Sequence, residues 1–312
     1  MKIAILDDYQ SVALKMADWN LIPGQNEIKV FNEPLDSFEK RVAALQPFDI
    51  ICAMRERTPF NAALLERLPN LKFIASTGAR NASIDLEAAK RLGIEIKHTR
   101  YDSAPTIELT WALILGLSRK IAIENASLKA GGWQTSVGVD LHGKTLALLG
   151  LGNIGSKVAQ IAQAFGMNVI AYSQNLTKEK AQAVATLVTK EQLFKNADFL
   201  SVHLVLSDRS RGIVGAQELS LMKPTALVIN TSRGPLIDEA ALIESLKASQ
   251  IAGAALDVYN NEPLPKDHIF RELKNVLATP HIGFVSQSLY ETFYQDSVSN
   301  IATWIAANQA QL

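Results

Sequence analysis

Thr145-Leu-Ala-Leu-Leu-Gly-Leu-Gly-Asn-Ile-Gly-Ser-Lys-Val-Ala159 is the stretch on which the reading of the fold turns. Its first five residues form an apolar run suited to a buried parallel strand, and residues 154–165 carry helical periodicity with no proline. Between them Gly150, Gly152 and Gly155 take the spacing G-x-G-x-x-G. Gly150 permits the tight turn, Gly152 lets the backbone approach a pyrophosphate, and Gly155 lets the helix sit close to the strand. The free N–H groups at the helix start, together with its positive dipole end, favour the pyrophosphate charge. Such a motif alone is a weak signal, since any strand–turn–helix can use glycines for turning only. Here both flanks have the form that a dinucleotide site requires.

Outward from this turn, the pattern repeats. Strands are predicted at 144–149, 168–172, 198–202, 225–230, 251–256 and 275–279 with helical segments between them, which implies a doubly wound sheet of six parallel strands. Upstream, Pro105 suits a helix's first turn, and the apolar-rich run from Trp111 to Arg119 is too long for a typical strand, so a long buried helix is expected. The first hundred or so residues form a second, smaller alternation, with strands at 2–6, 27–31, 49–53, 71–76 and 94–98 and helical stretches at 35–45 and 85–91. Polar loops follow its first and fourth strands, Asp7-Asp8 and Thr77-Gly-Ala-Arg-Asn81, at the edge where open α/β sheets bind ligands. Residues 286–310 read as an amphipathic helix with Leu289, Phe293, Val298, Ile301 and Trp304 inward. It is too short to be a domain, so the economical placement is against the N-terminal domain, although packing on a partner subunit is equally compatible. The expected division is 1–101 plus 285–312 around an inserted 102–284.

Composition narrows the function classes. With 312 residues, 48% of them hydrophobic, the chain can build two cores. Its 31 basic and 31 acidic residues cancel, leaving no general footprint for nucleic acid or an anionic membrane, though a local patch stays open. Cys52 is the single cysteine, which excludes an intramolecular disulfide or a thiolate metal cluster, and its apolar neighbours suggest a core thiol. No metal site is expected. The acids Asp7 and Asp8 arrive too early for a signal peptide, and no apolar run reaches the roughly 18–20 residues that span a bilayer, so a cytoplasmic location is the default expectation.

Three further loops carry unusual polar groups: Asn230-Thr-Ser-Arg-Gly234, Asp257-Val-Tyr-Asn-Asn-Glu-Pro263 and Thr279-Pro-His-Ile-Gly283. Together with the glycine turn, and with Thr106-Ile-Glu-Leu-Thr110 before it, they resemble the D-isomer-specific 2-hydroxyacid dehydrogenase family over nearly the whole chain. The resemblance implies an α/β protein of two doubly wound parallel-sheet domains, a Rossmann dinucleotide-binding domain inserted in a smaller flavodoxin-like substrate domain. It implies hydride transfer between a nicotinamide cofactor and a small D-2-hydroxy acid or 2-keto acid. Such chemistry needs a cation for the carboxylate and a proton donor for the developing alkoxide. Arg233 matches the cation, because a planar guanidinium can hold carboxylate and keto oxygen together. His281 matches the acid in reduction and the base in oxidation, an unperturbed imidazole titrating at about 6.5. Glu262 matches its partner, a carboxylate that orients the ring and favours its charged form. A surface ion-pair arginine and a structural histidine are the bland alternatives, and the joint occurrence of the three loops weighs against both. His98, His142, His203 and His268 have no such company, and His203 is at most a wall of the cofactor pocket.

For the cofactor, the resemblance assigns Gly150, Gly152, Asn153, Ile154 and Gly155 to the pyrophosphate, Thr231 and Ser232 to the nicotinamide side, and Asp257 to its carboxamide. It matches Thr77-Gly78 to the loop whose backbone N–H groups hold the substrate carboxylate. Arg80 stands where the family commonly has glycine, so it narrows the pocket, adds a second cation, or forms an ion pair with Asp85 or another neighbour. NAD enzymes carry an acidic residue at the end of the second strand, where this chain has Ser173 and no carboxylate until Glu179. No arginine follows to clamp a 2′-phosphate, and Lys178 would have to reach from the next turn. This favours NADP(H), with NAD(H) left open. Glyoxylate, hydroxypyruvate and pyruvate are candidate substrates, selected by Arg80, Met54-Arg55 and Phe284. Phosphoglycerate is disfavoured by the lack of an extra C-terminal regulatory domain, and formate by Glu262. The alternative is a dinucleotide-sensing, co-repressor-like binding protein on the same fold. A homodimer through the long helix after Pro105 is the expected assembly.

Overall fold

The computed structural model describes residues 1–308, and the chain divides into two compact units: Met1–Asp102 together with the chain from Val285, and Ser103–Phe284. The first unit holds β1 (Lys2–Ile5), β2 (Glu27–Val30), β3 (Ile50–Ala53), β4 (Phe73–Ser76) and β5 (Glu95–His98), in the order β2-β1-β3-β4-β5. All of its strand pairs are parallel. This is the flavodoxin-like order, with its reversal between β1 and β3. Every residue of β3 and β4 is buried, as expected for strands covered on both faces, whereas edge strands β2 and β5 are partly exposed. Cys52 is buried in β3, and burial pushes its thiol up to about 12. Ser37 and Asp85 start the flanking helices Phe38–Leu45 and Leu86–Arg91 by accepting bonds from the N–H groups of Lys40 and Ala88.

The Gln287–Asn308 helix belongs to this first unit and packs on β4, with Trp304 stacked on Phe73 at 5.1 Å. Leu289, Phe293, Val298, Ile301 and Trp304 are all buried there. Arg100 anchors the helix, donating from its backbone N–H and its guanidinium to Asp296 at 2.8 Å each. Gln309 and Ala310, the end of the helix expected from the sequence, lie outside the described residues.

The second unit holds β6 (Thr145–Leu149), β7 (Asn168–Tyr172), β8 (Thr186–Leu187), β9 (Phe199–Val202), β10 (Leu227–Asn230), β11 (Gly253–Leu256) and β12 (Val276–Ala278). Their order is β12-β11-β10-β9-β6-β7-β8, again with parallel pairs only. The sheet has seven strands where the sequence predicts six. The extra one, β8, is two residues long at the sheet edge, too short to print a periodicity. Alternation along the strands divides the core in two: Ala147, Leu149, Leu200, Val202 and Val228 pack on one face, and Leu146, Leu148, Phe199, Leu227 and Ile229 on the other. Both faces are therefore covered, as a doubly wound sheet requires.

The helix with Pro105 in its first turn spans Ala104–Ser118. It is buried through Thr106, Thr110, Trp111, Leu113, Ile114 and Ser118, and only Glu108 and Ala112 are exposed, as expected of a long buried helix. Lys120, in the left-handed region at φ 53°, separates it from a second helix, Ile121–Lys129. Among the described residues, no helix is long and apolar enough to cross a membrane.

Candidate active site

The glycine turn lies after β6, where the order of the larger sheet reverses between β6 and β9. A Cβ on Gly150 would strike the carbonyl of His203, and one on Gly155 the carbonyl of Gly150, so both positions are closed to side chains by backbone packing. Gly150 also sits at φ 105°, outside the range that a side chain tolerates. Gly152 is different: a Cβ there would meet nothing within 4 Å. It caps the Asn153–Ala164 helix without a side-chain hydrogen bond, and no acidic residue stands in the first turn. The first-turn N–H groups thus face open space beside exposed Gly152 and Asn153. A pyrophosphate fits this cradle. The half-buried His203 lies behind it, its ring bonded through Nε2 to Ser201 Oγ at 2.8 Å, and its buried Nδ1 lacks a hydrogen-bond partner among the described residues. Burial lowers its pKa to about 4, which keeps the imidazole neutral.

At the carboxyl ends of the neighbouring strands β10, β11 and β12 stand Arg233, Glu262 and His281 respectively. His281 Nδ1 donates to Glu262 Oε2 at 2.5 Å, since a carboxylate can only accept. That bond sets the tautomer and leaves Nε2 for a ligand. The other Glu262 oxygen accepts the N–H of Tyr259 at 2.9 Å, so the carboxylate is itself held. Phe284 lies edge-on to the imidazole at 5.5 Å. His281 occupies the left-handed region at φ 52°, a conformation of modest cost that neighbours must impose.

Asp257 imposes it. Buried beneath the loop, its carboxylate accepts Thr279 Oγ1–H at 2.6 Å and the N–H groups of Ile282 and Gly283 at 2.8 Å each. Burial raises its pKa, against the opposing pull of those bonds and of His281. The carboxylate assigned by resemblance to the nicotinamide carboxamide is thus already engaged by the His281 loop.

Two threonines that sequence reasoning did not assign hold the same site from the Ala104–Ser118 helix. Thr106 Oγ1 donates to Gly283 O at 3.0 Å. Thr110 Oγ1 donates to Thr106 O, so the 2.8 Å contact with Thr231 has Thr231 as donor. Their i, i+4 spacing in Thr106-Ile-Glu-Leu-Thr110 puts both on one helix face, which is the signal that could have found them. Such bonds contribute about 0.5–1.5 kcal/mol each, less than the roughly 1.5–3 kcal/mol of one buried Leu or Ile, so their weight is in positioning rather than stability. The Arg233 loop is braced further by Asn230, whose side chain bonds to Ser232 N–H and Arg233 O, and by Ser232 Oγ, which donates to Val202 O at 2.7 Å. Arg233 itself is half-buried, with Nη1 donating to Ser232 O at 2.7 Å.

In the first unit, the Thr77 and Gly78 N–H groups donate to Ala53 O at 3.0 Å and Thr99 Oγ1 at 2.8 Å. The next two N–H groups of this loop belong to exposed Ala79 and Arg80. Arg80 forms no ion pair with Asp85 among the described residues, Asp85 being the helix cap. Met54 is buried, while the Arg55 guanidinium packs against Gly78 and lies over the Tyr101 ring at 5.0 Å.

Residues 111–283 match the model of the D-isomer specific 2-hydroxyacid dehydrogenase NAD binding domain. The hydroxypyruvate reductase of Thermotoga maritima is 39% identical over 269 residues, 84% of this chain and 86% of that protein. The D-3-phosphoglycerate dehydrogenase of Methanocaldococcus jannaschii is 39% identical over 250 residues, 78% of this chain, which spans only 47% of that protein's length. The crystal structure of a phosphoglycerate oxidoreductase from Vibrio cholerae superposes with a TM-score of 0.93 at 37% identity, covering 98% of this chain and 99% of the other. The chain belongs to the D-isomer-specific 2-hydroxyacid dehydrogenase family and is an NAD-linked oxidoreductase of 2-hydroxy and 2-keto acids.

Proposed function

We propose that the protein reduces small 2-keto acids of the glyoxylate, hydroxypyruvate or pyruvate type to D-2-hydroxy acids, with NADP(H) favoured over NAD(H). The observation that carries this reading is the His281–Glu262 bond beside the Arg233 strand end. The nicotinamide, when bound, supplies the hydride that reduces the keto carbon. Arg233 holds the substrate carboxylate and keto oxygen in one plane, fixing the carbon that is reduced. His281 Nε2 carries the proton that the new alkoxide takes up, and Glu262 stabilises the imidazolium and keeps the ring in register. Gly150, Gly152, Asn153, Ile154 and Gly155 hold the pyrophosphate, with Thr231 and Ser232 on the nicotinamide side and Ser173 at the adenosine ribose. Asp257 acts chiefly by shaping the His281 loop, which supports its nearness to the carboxamide without requiring a direct bond. In the first unit, we assign the Thr77-Gly78-Ala79-Arg80 loop to an anionic group of the substrate, its donors being the exposed ones at Ala79 and Arg80.

A homodimer is part of this reading, supported by the exposed apolar side chains Ile121, Ile123, Leu128, Trp133 and Val137. They lie on the second helix and the stretch after it, rather than on the helix begun by Pro105. A cytoplasmic setting is consistent with one buried thiol and no second cysteine. The test is a panel of keto acids with NADPH and NADH. Turnover of one or more small 2-keto acids with kcat/KM higher for NADPH is expected. Dinucleotide binding without turnover of any of them would defeat the enzymatic reading.

A further inference from the structure

The adenosine end of the cofactor site lies one strand over from the glycine turn, where β7 pairs with β6 through Leu149 and Tyr172 and runs out at Ser173. Read along the sequence, this end holds no arginine. Folding brings one there. Arg209, in the loop after β9, is exposed and donates from Nη1 to Gln174 Oε1 at 3.5 Å.

That placement is built. Ser210 is buried inside the same loop, where its Oγ donates to Val205 O at 2.7 Å and accepts Ser207 N–H at 2.8 Å. Ser210 and Arg211 return their N–H groups to Ser207 O, and Gly212 ties the loop to Pro235 O. The turn is therefore shaped by its own bonds, and Arg209 meets Gln174, two residues past the end of β7. Its one contact there is long and spares most of the guanidinium for an anion.

The charges around it agree. No carboxylate occurs from Tyr172 to Lys178. Glu179 is turned onto its own backbone N–H and the Thr177 hydroxyl, which hold its carboxyl below the ordinary range. Asp208 is exposed beside Arg209 without forming an ion pair among the described residues, and Lys178 and Lys180 add positive charge on the following short helix. A free 2′-hydroxyl on the adenosine ribose would find no acceptor carboxylate in the stretch that follows β7; a 2′-phosphate would find there the Arg209 cation, which outweighs the single charge of its neighbour Asp208 by direct charge-assisted bonding.

We propose that Arg209, with Ser173 and Gln174, forms the site for the 2′-phosphate of NADP(H), and that it sets the cofactor preference of this protein. The proposal rests on the dinucleotide reading of the glycine turn. It assigns the selecting cation to the loop after β9 rather than to the residues that follow β7 in sequence.

Calorimetric titration of the full chain with 2′-phospho-ADP-ribose and with ADP-ribose tests it without turnover. Wild type is expected to bind the phosphorylated ligand more tightly. Arg209→Ala should lower the ratio of the two affinities by about 10–100-fold, the worth of one or two charge-assisted bonds, and Arg209→Lys should restore part of it. A wild type that prefers ADP-ribose, or a ratio that Arg209→Ala leaves within about twofold, overturns the proposal. Binding of neither ligand by wild type overturns the dinucleotide reading beneath it, an outcome distinct from the other two.

Discussion

The two ends of the larger sheet are built on opposite principles. At β10–β12 the Glu262, Asp257, Thr231 and Asn230 side chains are each tied to a second group, and His281 is pressed into a left-handed backbone conformation. At the end of β7, by contrast, exposed side chains meet through one 3.5 Å contact. Proton transfer depends on a donor held within a few tenths of an ångström, and only a crowded, cross-braced loop can hold it. Discrimination by charge acts over longer distances and through solvent, so flexible surface groups suffice for it.

The sharpest break of this contrast is at His281. His281→Ala should lower kcat by about 10²–10⁴-fold, roughly 3–5 kcal/mol in the barrier, while dinucleotide affinity is retained. Near-normal turnover at neutral pH would remove the imidazole from the chemistry and with it the reason for so much bracing.

The second test concerns His203, behind the glycine turn. Its folded pKa of about 4 lies below the ordinary 6.5, so the folded protein binds fewer protons between those values. Stability should therefore fall as pH drops from about 6.5 towards 4, by up to about 3 kcal/mol, and level off below. His203→Gln should flatten that limb. Urea midpoints at about pH 7 and about pH 4.5 measure it, and an equal acid-side loss in both proteins would show that His203 is not buried neutral.

Smallest is the effect of Thr110→Val, which strands the Thr231 hydroxyl. A loss of about 1 kcal/mol in thermal stability is expected, with less than a tenfold fall in kcat/KM. Unchanged stability and unchanged kinetics together would show that the Arg233 loop holds its shape without the helix.

Much of this was legible in the chain alone, and for one reason. The glycine turn and the Arg233, Glu262 and His281 loops are contiguous strings, each with its strand before it, so local pattern carried both the element and the residues proposed for the chemistry. Edge strand β8 escaped because two residues cannot show a period. The contact of Arg209 with Gln174 escaped because the two lie 35 residues apart in sequence. Thr106 and Thr110 escaped because Gly283 and Thr231 lie 177 and 121 residues from them. In the Thr77-Gly78 loop, the first two N–H groups are engaged by neighbouring strand ends, a pairing that no local motif reveals.

By itself, then, the sequence determined two alternating α/β patterns, a glycine turn between strand and helix, and the strings that carry the proposed acid–base pair and arginine, because apolar period and motif spacing are local properties of the chain. Tertiary structure alone decided which donors stay open to a ligand, which carboxylate shapes the His281 loop, and which arginine reaches the end of β7. Those outcomes depend on hydrogen bonds and charge proximity between segments far apart in sequence, which exist only once the sheet has placed its strand ends side by side.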